Sequence, residues 1–123
     1  MEYSFDYNPP APSLIVDFNA PTSDRSIAVR EKLDTGADIT VLPLEVTKEL
    51  RLMPASRVTV ASFNGEEEWK YTYFVNISMG GFRFRMVEVI SGNRRDALIG
   101  RDVLNQLKAI LDGKKTSFEL IDP

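Results

Sequence analysis

Apolar residues recur at every second position through most of the chain, the period of a β-strand with one buried face. Leu14, Val16 and Phe18 share one such face, and after a turn at Pro21-Thr22-Ser23-Asp24 the stretch Ser26 to Leu33 reads as a second strand able to form a hairpin with the first. The alternation is clearest in the middle of the chain. Val58 and Val60 lead to Phe63, Asn64-Gly65 supplies a tight turn, and Trp69, Tyr71, Tyr73, Val75 and Ile77 alternate down the return strand. This predicts a long hairpin with an exposed tip. Gly80-Gly81 turns the chain into Phe82, Phe84 and Met86, in a strand expected to stop before Ser91-Gly92-Asn93. Asp112-Gly113 marks another turn, between Ala109-Ile110-Leu111 and Phe118 to Ile121.

Two segments read as helix. Pro43 to Leu50 has proline at an N1-like position and an acid in its first turn, and Asp102 to Leu107 has Asp102 as an N-cap followed by Val103, Leu104 and Leu107. Residues 1–12, with Asn8-Pro9-Pro10-Ala11-Pro12, read as a flexible, proline-rich N-terminal arm, and residues 13–123 as one small, mostly β domain.

Composition narrows the chemistry more than the fold. At 123 residues the chain has room for one domain, and its 43% hydrophobic content suffices for a core. It has no cysteine and no histidine, which removes disulfides, thiolate and imidazole metal sites, and Ser-His or Cys-His catalysis. Carboxylates are the first place to look for acid–base work. The net charge of −3 disfavours nucleic acid as a partner, and the basic doublets Arg94-Arg95 and Lys114-Lys115 read as solvated loop positions. Without an apolar run of membrane-spanning length, a leader or any phosphate-loop, calcium-loop or dinucleotide pattern, the expectation is a cytoplasmic protein with no membrane partner, no cofactor and no metal.

The segment that carries chemistry is Leu33-Asp34-Thr35-Gly36-Ala37-Asp38-Ile39, directly after the second strand. About 60 residues later comes Ala97-Leu98-Ile99-Gly100-Arg101-Asp102, two hydrophobic residues and a glycine opening a helix. Together with the hairpins between them, these segments resemble the retropepsin-like aspartic proteases, over roughly residues 14 to 121 and in the expected order. The short helix after Pro43 and the final hairpin at Asp112-Gly113 look more like the cellular and microbial branch than the viral one. The resemblance implies a mostly β fold, a closed barrel forming one half of an acid protease, with one or two short helices and a flap hairpin.

Peptide hydrolysis without a metal or a covalent nucleophile needs one carboxylate to activate water and a second, protonated carboxyl to polarise the carbonyl. Asp34 alone is half a site. No second Asp-Thr/Ser-Gly occurs, since Leu111-Asp112-Gly113 lacks the hydroxyl residue and reads as a hairpin turn. The second catalytic Asp34 is therefore expected from another copy, in a homodimer acting on a peptide or protein substrate. By resemblance, Thr35, Gly36, Gly100 and Arg101 support the loop. Gly36, Ala37, Asp38, Ile39, Asn64, Gly65 and Leu98 border the substrate. Asp38 and Arg101 read equally well as a plain salt bridge. The Trp69-Tyr71-Tyr73 face reads more readily as packing than as a binding stripe, and Glu66 to Glu68 as a solvated tip. Two rivals stand beside this reading: a non-catalytic dimeric module with the same fold, and a two-carboxylate glycosidase, the weaker for want of a sugar cleft.

Overall fold

The computed structural model describes residues 1–61, 64–93 and 97–122. Ten strands and two short helices follow one another as β1 (Tyr3–Ser4), β2 (Ala11–Asn19), β3 (Ser26–Leu33), β4 (Val41–Pro43), α1 (Leu44–Glu49), β5 (Ser56–Ala61), β6 (Glu67–Met79), β7 (Phe82–Gly92), β8 (Leu98–Ile99), α2 (Arg101–Leu104), β9 (Lys108–Asp112) and β10 (Ser117–Ile121). Eight strands form one sheet in the order β1-β2-β3-β8-β4-β7-β6-β5, and β2 also pairs with β6. That extra pairing returns the ladder from β6 to β2, so six strands enclose the core and β1 and β5 stand outside the ring. A separate two-stranded sheet holds β9 and β10. No helix among the described residues is long and apolar enough to cross a membrane.

The alternation of the sequence becomes the inside and outside of this barrel. Val16 and Phe18 on β2, Val75 and Ile77 on β6 and Val89 on β7 are fully buried, while Ile15 and Asp17 face out. β2 and β3 form the expected hairpin in the register Asn19↔Ser26 to Ser13↔Lys32. Gly80 and Gly81, at φ +56° and +85°, make the tight turn joining β6 and β7, a conformation glycine adopts without steric cost.

Several details depart from the sequence reading, each because of a tertiary partner. β7 runs on through Ser91 and Gly92 instead of stopping before them, since β4 lies alongside in parallel with Leu42↔Ser91 and Pro43↔Gly92. A Cβ at Gly92 would stand 2.9 Å from Val41 Cγ1, so the glycine permits that approach. Pro43 takes the N-cap of α1, and Gly100, not Asp102, takes that of α2. Trp69 and Tyr71 are 66% and 53% exposed while Tyr73, on the same face of β6, is buried. The face is continuous, but beyond Thr72 the β5–β6 hairpin leaves the barrel and takes its aromatics with it. Phe63 and the Arg94-Arg95 doublet lie outside the described residues.

The arm at residues 1–12 is tied down. Tyr3 and Ser4 pair with Pro12 and Ala11, β2 already begins at Ala11, and Met1 and Phe118 exchange backbone hydrogen bonds of 2.8 and 2.9 Å. Tyr3 N–H donates to the Thr116 carbonyl at 2.7 Å, and its ring packs against Phe118. Tyr7, between β1 and β2, lies close to Glu31 of β3; burial raises its phenol's pKa and the Glu31 charge raises it further. Glu31 is fully buried on the face of Val29 and Leu33, and neither carboxyl oxygen has a hydrogen-bond partner among the described residues. Burial pushes its carboxyl up to about 9, so it stays protonated at neutral pH.

Candidate active site

β3 ends at Leu33, and Asp34 leaves it into a tight loop. The Asp34 N–H donates to the Ile99 carbonyl at 2.9 Å, which extends the parallel β3–β8 pairing by one bond and fixes where the loop begins. Gly36 N–H then turns back onto Asp34 Oδ1 at 2.8 Å. A Cβ at Gly36 would stand 3.2 Å from that same oxygen, so a larger residue would crowd the carboxylate. The result is a half-exposed Asp34 with one oxygen held by a backbone donor.

The segment Leu98–Arg101 crosses this loop and is bonded to it at several levels. Arg101 N–H donates to the Ala37 carbonyl at 2.9 Å, and Arg101 Nη1 to the Thr35 carbonyl at 2.7 Å. Gly100 is the pivot. Its added Cβ would lie 2.8 Å from the Ile39 carbonyl carbon and 3.1 Å from the Ala37 oxygen, backbone that cannot move aside. The resemblance made both glycines supports of the loop, and the close approaches supply the physical reason.

Two residues it left out brace the crossing from below. Thr40 is fully buried; its Oγ1 donates to Asp102 Oδ1 at 2.8 Å and accepts the Gly100 N–H at 3.1 Å. Asp102 Oδ2 accepts the Thr40 N–H at 3.0 Å, and Oδ1 also accepts Val103 N–H at 2.9 Å. Thus the carboxylate read as a helix cap instead joins the two loops across 62 residues of sequence. The signal was present as a polar Thr-Asp pair inside two apolar stretches, but only the fold shows that they meet.

Arg101 Nη2 pairs with Asp38 Oδ1. The side chains are 43% and 85% exposed, so the pair is a surface one and contributes little to folding. Arg101 acts on the loop mainly through the Thr35 carbonyl. Leu98 sits between Lys32 of β3 and Val41 of β4, and Ile39 is half-buried beside Gly100. Asp34 through Ile39, Leu98, Gly100 and Arg101 are therefore gathered in one place. Asn64 and Gly65 stand apart, at the exposed end of the β5–β6 hairpin, where Gly65 adopts φ +81° and Glu66 N–H donates to Asn64 Oδ1 at 3.1 Å. Among the described residues no cluster of His, Cys, Asp or Glu could hold a metal ion.

No curated protein matches the sequence. Among the solved structures that share the fold are a retropepsin-like aspartic protease from Rickettsia conorii, at 18% identity and TM-score 0.66 over 98% of this chain and 88% of that one, and EIAV protease complexed with the inhibitor HBY-793, at 22% identity and TM-score 0.58 over 85% and 92%. Residues 26–106, from the start of β3 to just past α2, match the family described as "gag-polyprotein putative aspartyl protease". Since that match takes in both the Asp34 loop and the Gly100 segment that crosses it, the chain belongs to this family of retropepsin-like aspartic proteases.

Proposed function

We propose that the chain is an aspartic endopeptidase in which Asp34 of one copy and Asp34 of a second form the dyad that hydrolyses peptide bonds. The observation that carries this reading is the lone Asp34 carboxylate, half-exposed, held by Gly36 N–H at 2.8 Å, in a chain whose sequence offers one such loop. Two carboxyls about 3 Å apart share a single proton because both cannot ionise together. The ionised one takes a proton from water, whose oxygen attacks the peptide carbonyl carbon, while the protonated one donates to the carbonyl oxygen. Proton transfer to the amide nitrogen then lets the C–N bond break, giving an acid and an amine. Gly36, Ala37, Asp38, Ile39 and Leu98 line the substrate's path in this reading, with Asn64 and Gly65 covering it.

The rival, a dimeric binding module without turnover, draws on the hairpin end, where Glu67 and Glu68 are exposed and charged. One experiment separates the two. Digestion of a denatured protein mixture by the folded chain should be abolished, by at least about a thousandfold, in Asp34→Asn and blocked by a hydroxyl-bearing mimic of the tetrahedral intermediate. Undiminished cleavage by a correctly folded Asp34→Asn would exclude the dyad.

A further inference from the structure

The outward face of β3 carries a cation next to Asp34. Val29, Glu31 and Leu33 fill the inward phase of this strand and are buried. Lys32 takes the opposite phase, two residues before Asp34, and the Asp34 N–H bond to the Ile99 carbonyl carries the pairing on, so that Asp34 keeps that phase. In the register of the sheet Lys32 lies opposite Leu98, and Leu98 opposite Val41. Residues opposed in this way point to one side of a sheet, so these three side chains, each half-buried, form a row beside the Asp34 loop. The row sets one ammonium beside two aliphatic neighbours.

That ammonium is held in place without being neutralised. Lys32 Nζ lies over the ring of Tyr7, 5.7 Å from its centroid, and a ring face attracts a cation while leaving its charge intact. The ion pairs among the described residues are Lys70–Glu68 and Arg101–Asp38, and neither involves Lys32. Glu31, next in sequence, is buried on the other face of the strand. Arg30, the neighbouring outward cation, is exposed and donates to Ser13 Oγ at 3.0 Å. A charge fixed in a partly dry place interacts more strongly than one in open water, and here the counter-charge is left for the substrate to supply. The acids Glu67 and Glu68 at the hairpin end do not oppose this, since both are exposed to water and Glu68 pairs with Lys70 at 3.5 Å.

We propose that Lys32 is a specificity-determining residue whose ammonium receives a glutamate or aspartate side chain of the substrate within two residues of the scissile bond, so that the protease selects acidic peptides. The inference rests on the Asp34 dyad, which fixes where the scissile bond lies. Lys32 and Asp34 are separated along the chain by about 6.5–7 Å, the length of two residues of extended peptide, so an acidic side chain close to the scissile bond is within reach of the lysine. Because the dyad joins two copies, each brings its own Lys32. Acidic residues are therefore favoured on both sides of the bond that is cut.

Peptides that carry Glu, Gln or Lys at one position within two residues of the scissile bond test this at about pH 6.5, where a peptide glutamate is ionised. Two readouts are needed: kcat/KM for the cleavable peptides, and the Kd of matching peptides in which a hydroxyl-bearing isostere replaces the scissile bond. Wild type should favour Glu over Gln about tenfold in both. Lys32→Met keeps the aliphatic stem and removes the charge, and should level Glu and Gln to within about twofold. Lys32→Glu should invert the order, favouring the Lys peptide over the Glu peptide about tenfold. Thermal melts establish that each variant is folded. No preference for Glu in wild type, by cleavage or by binding, or an order of preference unchanged in both folded variants, overturns the role of Lys32 and leaves the dyad intact. Binding that prefers Glu and follows Lys32, without hydrolysis of any peptide, sustains the site and overturns the dyad.

Discussion

Glu31 in β3 and Asp34 just past its end are carboxyls three residues apart, and the protein treats them in opposite ways. Glu31 points into the barrel, fully buried, without a hydrogen-bond partner among the described residues, and burial raises its pKa to about 9. Asp34 stands just past the strand end, half-exposed, with Gly36 N–H on one oxygen. The difference comes from backbone phase and from where the strand stops. Glu31 shares the inward phase of Val29 and Leu33, while Asp34 has left the sheet for a loop whose own N–H groups turn towards it. A carboxyl in the first setting is held neutral and costs stability; in the second it is presented to a partner and can work. Proximity in sequence thus says little about the chemistry available to an acid.

The contrast can be broken most forcefully at Glu31. Its folded pKa lies above the unfolded value of 4.5, so its contribution to stability is fully present below pH 4.5 and is lost as the pH rises towards 9. Between those limits the unfolded chain ionises while the folded one does not. Glu31→Leu removes both the titration and the unpaired oxygens, and should stabilise the chain by roughly 3 kcal/mol or more at pH 8 but only about 1 kcal/mol at pH 5. Urea unfolding at the two pH values, at one protein concentration, checks this. Equal effects at both would mean that Glu31 is ionised, or paired, in the folded chain.

A smaller loss is expected beneath the Asp34 loop. Thr40→Val strands the buried Gly100 N–H and removes one donor from Asp102, and should cost about 1–3 kcal/mol. If the brace positions the loop, hydrolysis should fall even where the variant remains fully folded. A variant as stable and active as wild type would show that the backbone contacts of Gly100 suffice alone.

Smallest of all should be the effect of Asp38→Asn on folding, within about 0.5 kcal/mol, because the side chain is 85% exposed and its pairing with Arg101 is at the surface. In the proposed function Asp38 faces substrate, so KM should rise while the melting temperature stays put. A large drop in melting temperature would instead make the Arg101 pair structural.

How much of this the sequence revealed depends on the size of the feature. Long hairpins were legible because period two and tight-turn residues repeat over many positions, and the β3 bounds Ser26–Leu33 followed directly. The Asp34 loop and its partner at Gly100 were legible as a pair of motifs. β4 and β8 were not, since three and two residues carry no period and exist only because β7 and β3 lie beside them. The Thr40–Asp102 brace was hidden by its 62-residue separation, and Asp102 was misread because its local context imitates a helix cap. Glu31 did leave a trace, as a charge in the apolar phase of its strand. Strand alternation alone cannot tell whether such a residue turns the face outward or is buried at a cost.

The central claim is that one chain carries half of a catalytic dyad. It is tested most directly by mixing folded Asp34→Asn chain into a fixed amount of wild type, under conditions where subunits exchange, and following hydrolysis. If each site needs Asp34 from both copies, most wild-type chains become trapped in dimers with one carboxylate, and a ninefold excess of variant should lower activity about tenfold. Activity that stays constant across that titration would mean that a single chain holds a complete site, and would contradict the account.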